Sequence, residues 1–337
     1  MRNMNLCRAK SMRNDEFYTR YSDVAFGISA ISRHLCGRSV LCNCDRPDTS
    51  AFWKYLHQNF TALGLSKLAA VYYDTKEPVY LTEYAGGDDI DVMSGTKTAL
   101  MENGDFRNEE NIRILEKYDV VITNPPFSLF GEYVNQLCDF GKQFFVIGSI
   151  NAATRRDIFR RIRMDEVWFG SRFHKDTAYF DIPIDADVSM YSKGVYDAAR
   201  HQIKMGNCIW YTNIKSDEYK SNLKLVKKYT PEAYPKYENY DAIDVSKVVN
   251  IPYDYTGKMA VPVTYLKYYD SNEFEILGMS AVADEMDEPV KLGSEFMKAY
   301  RSQGGTAKFS EGMYGIYYYD NDGKVHVPYR RIIIRRR

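Results

Sequence analysis

Asp119-Val-Val-Ile-Thr-Asn124-Pro125-Pro126-Phe127 is a β-favouring run that ends abruptly in two prolines. The β-branched residues fit a pleated strand. Proline fixes its own φ and pushes the residue before it toward extended conformations, so Asn124 and Pro125, each preceding a proline, form a stiff backbone. Prolines carry no N–H, so the loop offers acceptors rather than donors. The Asn124 side-chain oxygen and the Pro125 carbonyl can then face a single amino group. By composition, Asn-Pro-Pro-Phe arises by chance in about one chain in a thousand of this length. A proline turn that merely closes a strand is the plainer alternative.

Outward from this stretch, short apolar runs alternate with helical segments. Residues 39–43 read as a strand and 52–63 as the helix after it. Residues 68–73 read as a strand closed by Asp74, and 108–117 as a helix. Residues 119–123 are a strand, 128–140 a helix, 143–148 a strand and 155–164 a basic helix. This alternation predicts an α/β fold, a parallel sheet with helices on both faces. Residues 167–169 and 208–212 read as strands that finish the sheet. Beyond about residue 215 tyrosine and proline become frequent and short strands recur, at 260–266, 274–277, 315–319 and 331–334. A helix is expected at 294–302 and a hairpin turn at Asn321-Asp322-Gly323. The expected division is 1–218 and 219–337, a larger catalytic domain and a smaller C-terminal one.

An acceptor-rich loop suits a weak nitrogen nucleophile. The exocyclic amine of adenine shares its lone pair with the ring. Two acceptors holding its hydrogens free that lone pair and stabilise the positive charge that develops there. No strong base is needed, and the remaining requirement is in-line alignment. A base inside a duplex must be extruded to reach such a loop, and Phe127 offers it a stacking face; a core role for Phe127 is the alternative. Ligands of open parallel sheets bind beyond the carboxyl ends of the strands. Cys44-Asp45 follows the first strand, Asp74 the second, and Gly104-Asp105-Phe106 precedes the proline-ended strand by about one helix. Asp74 suits ribose hydroxyls, and Asp105 and Phe106 suit the amine and ring face of a cofactor adenine. Each alone is also a plausible helix cap or loop residue.

Composition narrows the classes. The chain has 337 residues, with 45 basic and 45 acidic side chains, so it is not a polyanion binder by net charge. Arg155, Arg156, Arg160, Arg161 and Arg163 form one basic cluster and the tail Arg330–Arg337 another, which favours a local phosphate-binding surface. The six cysteines include no C-x-x-C pair and the histidines no helical ligand pair, so no metal site is expected. No apolar run approaches the roughly 20 residues of a membrane-spanning helix, and residues 1–13 lack the apolar core of a signal peptide. A cytoplasmic location is the expectation.

The order Asp15-Glu-Phe-Tyr-Thr19, Val40-Leu-Cys-Asn-Cys-Asp45, Gly104-Asp-Phe106, Asn124-Pro-Pro-Phe127 resembles the amino-methyltransferases of the γ arrangement. More narrowly, the chain resembles the EcoRI-type adenine-specific DNA methyltransferases. That similarity continues through Asn207-Cys-Ile-Trp210, Asn239-Tyr-Asp-Ala-Ile243, residues 251–266, Phe274-Glu-Ile-Leu-Gly278 and the basic tail, and so covers nearly the whole chain. The resemblance implies a Rossmann-like domain dependent on S-adenosylmethionine, a C-terminal target-recognition region and duplex DNA as substrate. A restriction endonuclease acting on the same site is its implied counterpart. It implies Asn124, Pro125, Pro126 and Phe127 as the catalytic loop, and Tyr18, Thr19, Cys44, Asp45, Asp74, Asp105 and Phe106 on the cofactor side. Most such enzymes carry a glycine-rich turn after the first strand. Here it reads Cys42-Asn-Cys-Asp-Arg-Pro47, with no glycine from there until Gly64, a version shared by the EcoRI type. Competing readings are the same chemistry on adenine in RNA or on a protein glutamine, and a non-catalytic DNA-binding protein with a decayed domain. The tyrosine-rich second region speaks against the glutamine and the intact loop against decay.

Overall fold

The computed structural model describes residues 18–170, 173, 178–182, 188–191, 194–215 and 223–337. The described residues fall into two compact units, one within Met1–Ala152 and Glu166–Tyr219, the other within Ala153–Asp165 and Lys220–Arg337. The expected boundary at 218/219 lies outside the described residues. The second unit also takes 153–165, which the sequence reading assigned to the first.

In chain order the first unit begins with β1 (Tyr18–Thr19), α1 (Tyr21–Ser29), β2 (Ser39–Cys42), α2 (Ala51–Gln58), α3 (Phe60–Leu63) and β3 (Lys67–Ala70). It continues with β4 (Tyr80–Tyr84), β5 (Thr96–Ala99), α4 (Glu109–Glu116), β6 (Val120–Thr123), α5 (Phe130–Asp139) and β7 (Gln143–Ser149). After α6 (Arg156–Arg163), which belongs to the second unit, come β8 (Trp168–Phe169), β9 (Ala178–Asp181), β10 (Tyr196–Asp197), β11 (Gln202–Met205) and β12 (Cys208–Thr212).

The main sheet runs β5-β4-β3-β2-β6-β7-β12-β8. Its middle four strands are parallel, as expected, but β4 and β5 on one side and β12 on the other pair antiparallel. The parallel alternation is therefore the core of a mixed sheet. β4 and β5 escape the sequence reading because β5, Thr96–Ala99, is wholly exposed, and its polar sequence carries no apolar alternation. Successive strand side chains point to opposite faces. Val40, Cys42, Val120, Ile122, Phe145, Ile147 and Trp210 enter one buried cluster with Val24 and Ile28 of α1 and Phe52, Trp53 and Leu56 of α2. The alternate residues Leu41, Ala69, Val121, Phe144, Val146 and Tyr211 are equally buried, and Phe130 of α5 lies against Tyr211 with ring centroids 4.8 Å apart. Both faces are thus covered, as parallel strands require. A smaller antiparallel sheet, β1-β9-β11-β10, adds to this unit.

The parallel strands run β3-β2-β6-β7 in space. The chain steps from β2 to β3 on one side, then returns to the other side for β6 and β7. Between β2 and β6 the order reverses, which creates a crevice at their carboxyl ends.

The second unit adds β13 (Ile243–Asp244), β14 (Met259–Pro262), β15 (Phe274–Met279), α7 (Ser294–Ser302), β16 (Tyr318–Tyr319), β17 (Val325–His326) and β18 (Arg331–Arg336). Its sheet is ordered β13-β14-β18-β15, so the basic tail is an interior strand whose Ile332, Ile333 and Ile334 are fully buried. The expected hairpin joins β16 and β17, with Gly323 at φ +72°.

Candidate active site

β6 is buried throughout and ends in Thr123, where the backbone passes into Asn124-Pro125-Pro126-Phe127. The Thr123 hydroxyl donates to one carboxylate oxygen of Asp45. The other accepts from Ser50 Oγ at 2.6 Å. Ser50 itself caps α2, accepting from the backbone N–H groups of Phe52 and Trp53 at 3.0 and 3.2 Å. The backbone N–H of Asn124 donates to the same Asp45 carboxylate. One buried acid thus ties the turn after β2, the head of α2 and the start of the proline loop. Burial raises the Asp45 carboxyl to about 6 against the lowering pull of these three donors. Stability from this raised group is full below its unfolded value of about 3.9. It is lost as pH rises through about 6, so at neutral pH the ionised form costs the fold stability. In the loop Pro125 is buried and Asn124, Pro126 and Phe127 are half-buried. The Leu129 N–H closes the loop on the Pro126 carbonyl at 3.0 Å just before α5.

A second linkage runs from the β2 turn to the Gly104-Asp105-Phe106 segment. The hydroxyl of buried Tyr133 donates to Asn43 Oδ1, and its ring stands edge-on to Phe106, centroids 4.9 Å apart. Gln136 Nε2 donates to the Phe106 carbonyl and Asn111 Nδ2 to the Asp105 carbonyl, each at 3.0 Å. Gly104 sits at φ +77°, and a Cβ there would lie 1.9 Å from the Tyr72 carbonyl oxygen. Only glycine lets this segment lie against the end of β3. The Asp105 carboxylate is held by Arg107 at 2.6 Å, which pulls it below the usual carboxylate range. Asp74 caps its own turn, accepting from the Lys76 and Glu77 N–H groups at 2.7 and 3.2 Å, with Arg46 3.5 Å from its other oxygen. Both acids thus carry engaged carboxylates. Burial, with Asp45 alongside, pushes the Cys44 thiol up, so it remains a neutral thiol.

The third linkage is through β1. Thr19 pairs with Phe180 and Tyr18 with Asp181; Asp15, Glu16 and Phe17 lie outside the described residues. The Phe180 ring stands edge-on to Phe127, centroids 6.2 Å apart, so β1 is linked to the proline loop through its neighbouring strand β9. Thr19 is 6% exposed, and its buried Oγ1 has no hydrogen-bond partner among the described residues. Phe127 also packs against the core cluster, so the core reading of that ring holds alongside any stacking role.

Asn43, Ser50, Thr123, Tyr133 and Phe180 escape the sequence reading. A polar residue ending or following an apolar strand was the available signal for Thr123 and Asn43; nothing local marks Phe180, which β-pairing delivers. Among the described residues no cluster of His, Cys, Asp and Glu is built to hold a metal, and no helix is long and apolar enough to cross a membrane.

The two arginine clusters have a different fate. Glu285, 1% exposed, receives Arg160 at 2.7 Å, Arg156 at 3.5 Å and Arg163 at 4.0 Å. In β18, Arg331 meets Asp244 at 3.1 Å, Arg335 meets Glu275 at 2.5 Å and Arg336 meets Glu273 at 3.2 Å. These arginines are paired with carboxylates of their own unit, while Arg156, Arg160, Arg163 and Arg335 keep about half of their side chains exposed.

Over residues 5–337 the chain matches the family of the adenine-specific methyltransferase EcoRI. It is 36% identical over 301 residues to the type II methyltransferase M.EcoRI of Escherichia coli, covering 84% of this chain and 91% of that protein. It is 33% identical over 276 residues to the type II methyltransferase M.MpnI of Mycoplasma pneumoniae, covering 80% and 84%. A type II methyltransferase of Mycoplasma genitalium, M.MgeORF184P, is 31% identical over 279 residues, covering 80% and 84%. No solved structure matches the chain. With a Rossmann-like crevice and relatives matched over most of their length, the chain belongs to the EcoRI family of adenine-specific methyltransferases and is a DNA methyltransferase.

Proposed function

We propose that Asn124, Pro125, Pro126 and Phe127 form the catalytic loop of this methyltransferase, acting on the N6 amine of an adenine turned out of duplex DNA. The observation that carries the reading is the joining of the β2 turn and the β6 loop at the topological switch point through Asp45, Thr123 and Asn124. Donor and acceptor sides of a group transfer must meet in one crevice, and these loops do. The Asn124 side-chain oxygen and the Pro125 carbonyl accept the two amine hydrogens and draw nitrogen toward tetrahedral geometry. As nitrogen gains positive charge those acceptors bind it more strongly, so they favour the transition state over the ground state. Phe127 holds the extruded base by its ring face.

The methyl donor on this reading is S-adenosylmethionine, which supplies an electrophilic methyl on a sulfonium. Tyr18, Thr19, Cys44, Asp74, Asp105 and Phe106 make up its side of the crevice, and Asp45 stands at the turn that joins that side to the catalytic loop. Thr19 Oγ1, which has no hydrogen-bond partner among the described residues, and the Phe106 ring against Tyr133 fit a nucleoside amino acid of mixed polarity. Asp105 would hold an adenine amine and Asp74 the ribose, from its place beyond β3. Residues 219–337 read the target sequence. The relatives are type II methyltransferases, which supports a modification role beside a restriction endonuclease of the same specificity, exercised in the cytoplasm. The test is to map modified adenines in DNA from a host expressing the chain or its Asn124→Ala variant. N6-methyladenine at one recurring sequence, present with the first and absent with the second, is expected. Methylation by the variant at the same level overturns the assignment of the loop.

A further inference from the structure

We propose that Asp45 is a positioning residue: its carboxylate sets the catalytic loop by binding the Thr123 hydroxyl and the Asn124 N–H, rather than by touching the cofactor. The inference rests on the reading of Asn124 as catalytic. Ser50 Oγ already accepts two N–H groups at the head of α2, so its one proton is directed to Asp45. The Thr123 hydroxyl occupies the other carboxylate oxygen, and the Asn124 N–H adds a third donor. Both oxygens are spent inward, and the residue is 8% exposed. The tie acts one bond from the Asn124 side chain whose oxygen must meet the amine. A protonated carboxyl carries a hydrogen where a donor now points, so one of the three ties is lost. The titratable groups facing Asp45 are Cys42 and Cys44 on its own segment and Tyr133 from α5, with Asp105 beyond Cys44. Burial drives both thiols and the phenol upward, so all three stay neutral where Asp45 ionises at about 6.

The test is steady-state kcat at saturating DNA and S-adenosylmethionine from pH 5 to 8, with cofactor affinity measured by calorimetry. For the unaltered chain kcat should fall about tenfold per pH unit below the Asp45 transition. Asp45→Asn should lower kcat at pH 7.5 by about tenfold, remove the acid limb and hold cofactor affinity within about threefold. Thr123→Val removes the same tie from the other side and should lower kcat without adding to the loss in the double variant. It also carries the test where Asp45→Asn does not fold. Unchanged kcat in Asp45→Asn with its acid limb intact overturns the proposal, as does lost cofactor affinity with unchanged saturated kcat. An active Asn124→Ala sinks the catalytic-loop reading itself; an inactive Asn124→Ala with a neutral Asp45→Asn sinks only this inference.

Discussion

At the carboxyl ends of β2 and β6 the polar groups are few, buried and tied through one carboxylate; on α6 and β18 they are numerous, charged and paired off. In the first region Asp45 takes three donors from two segments, none of them a cation. In the second, Glu285 alone gathers three guanidiniums and Asp244 takes Arg331 together with the Tyr237 hydroxyl at 2.5 Å. Neutral donors around an acid leave its charge uncompensated and set backbone geometry. Ion pairs cancel charge and hold a fold. On the proposed reading, the difference separates residues that align a reaction from residues that stabilise the unit carrying it.

The largest effect should come from the proline loop. Asn124→Ala removes an acceptor that strengthens only in the transition state, so kcat should fall by about 10²–10³-fold while cofactor affinity holds within about threefold. Labelled-methyl transfer and calorimetry measure both. Equal losses in affinity and rate would mean that Asn124 shapes the crevice rather than the chemistry, and the contrast between the two regions would weaken. Next is Gly104→Ala. Its φ of +77° and the Tyr72 carbonyl 1.9 Å from an added Cβ leave backbone movement as the response, at a cost of about 3 kcal/mol or more. Denaturant unfolding should show that loss. A neutral result would mean the segment beyond β3 is free to shift, and its place in the crevice would be in doubt.

What the sequence disclosed follows the range of the forces involved. The stiffness of Asn124-Pro125-Pro126 is local, dictated by ring closure and pre-proline sterics, so it was legible without neighbours. The parallel core strands were legible because two-sided burial writes continuous apolar runs such as Gln143–Ser149. β5 was not legible, since an exposed edge strand carries no apolar pattern. The Arg160–Glu285 pair spans 125 positions and Thr123–Asp45 spans 78; no local rule announces either. Sequence therefore showed where charge was dense but not whether it was already paired. The cofactor side lies between these cases. Asp45 was expected there from its place after the first strand, but the inward turn of its carboxylate depends on Ser50 and Thr123.

Phe127→Ala sharpens the comparison from within the loop. Its ring packs on the core and against Phe180, so truncation should cost some stability as well as a stacking face. Loss of base stacking predicts a drop in kcat/KM of about tenfold or more on duplex DNA. The loss should shrink on a duplex whose target adenine is left unpaired, because extrusion then costs less. Equal losses on both substrates would assign Phe127 to the core alone.

The smallest effect is expected in the region where the charge is densest. Arg160 is the nearest of three guanidiniums on Glu285 and is half-exposed, so Arg160→Gln removes one partner while Arg156 and Arg163 remain. With two guanidiniums left on the buried Glu285, the loss should be about 0.5–1 kcal/mol, readable as a small fall in the denaturant midpoint. DNA binding gives the discriminating measurement. Each cation that neutralises a phosphate adds about 0.9 to the slope of log affinity against log salt on duplex DNA. An arginine already spent on a buried carboxylate contributes almost nothing to that slope, so the variant should match the unaltered chain across the titration. A slope shallower by about 0.9 would show Arg160 leaving Glu285 for a phosphate, and the paired region would then belong to the substrate surface after all.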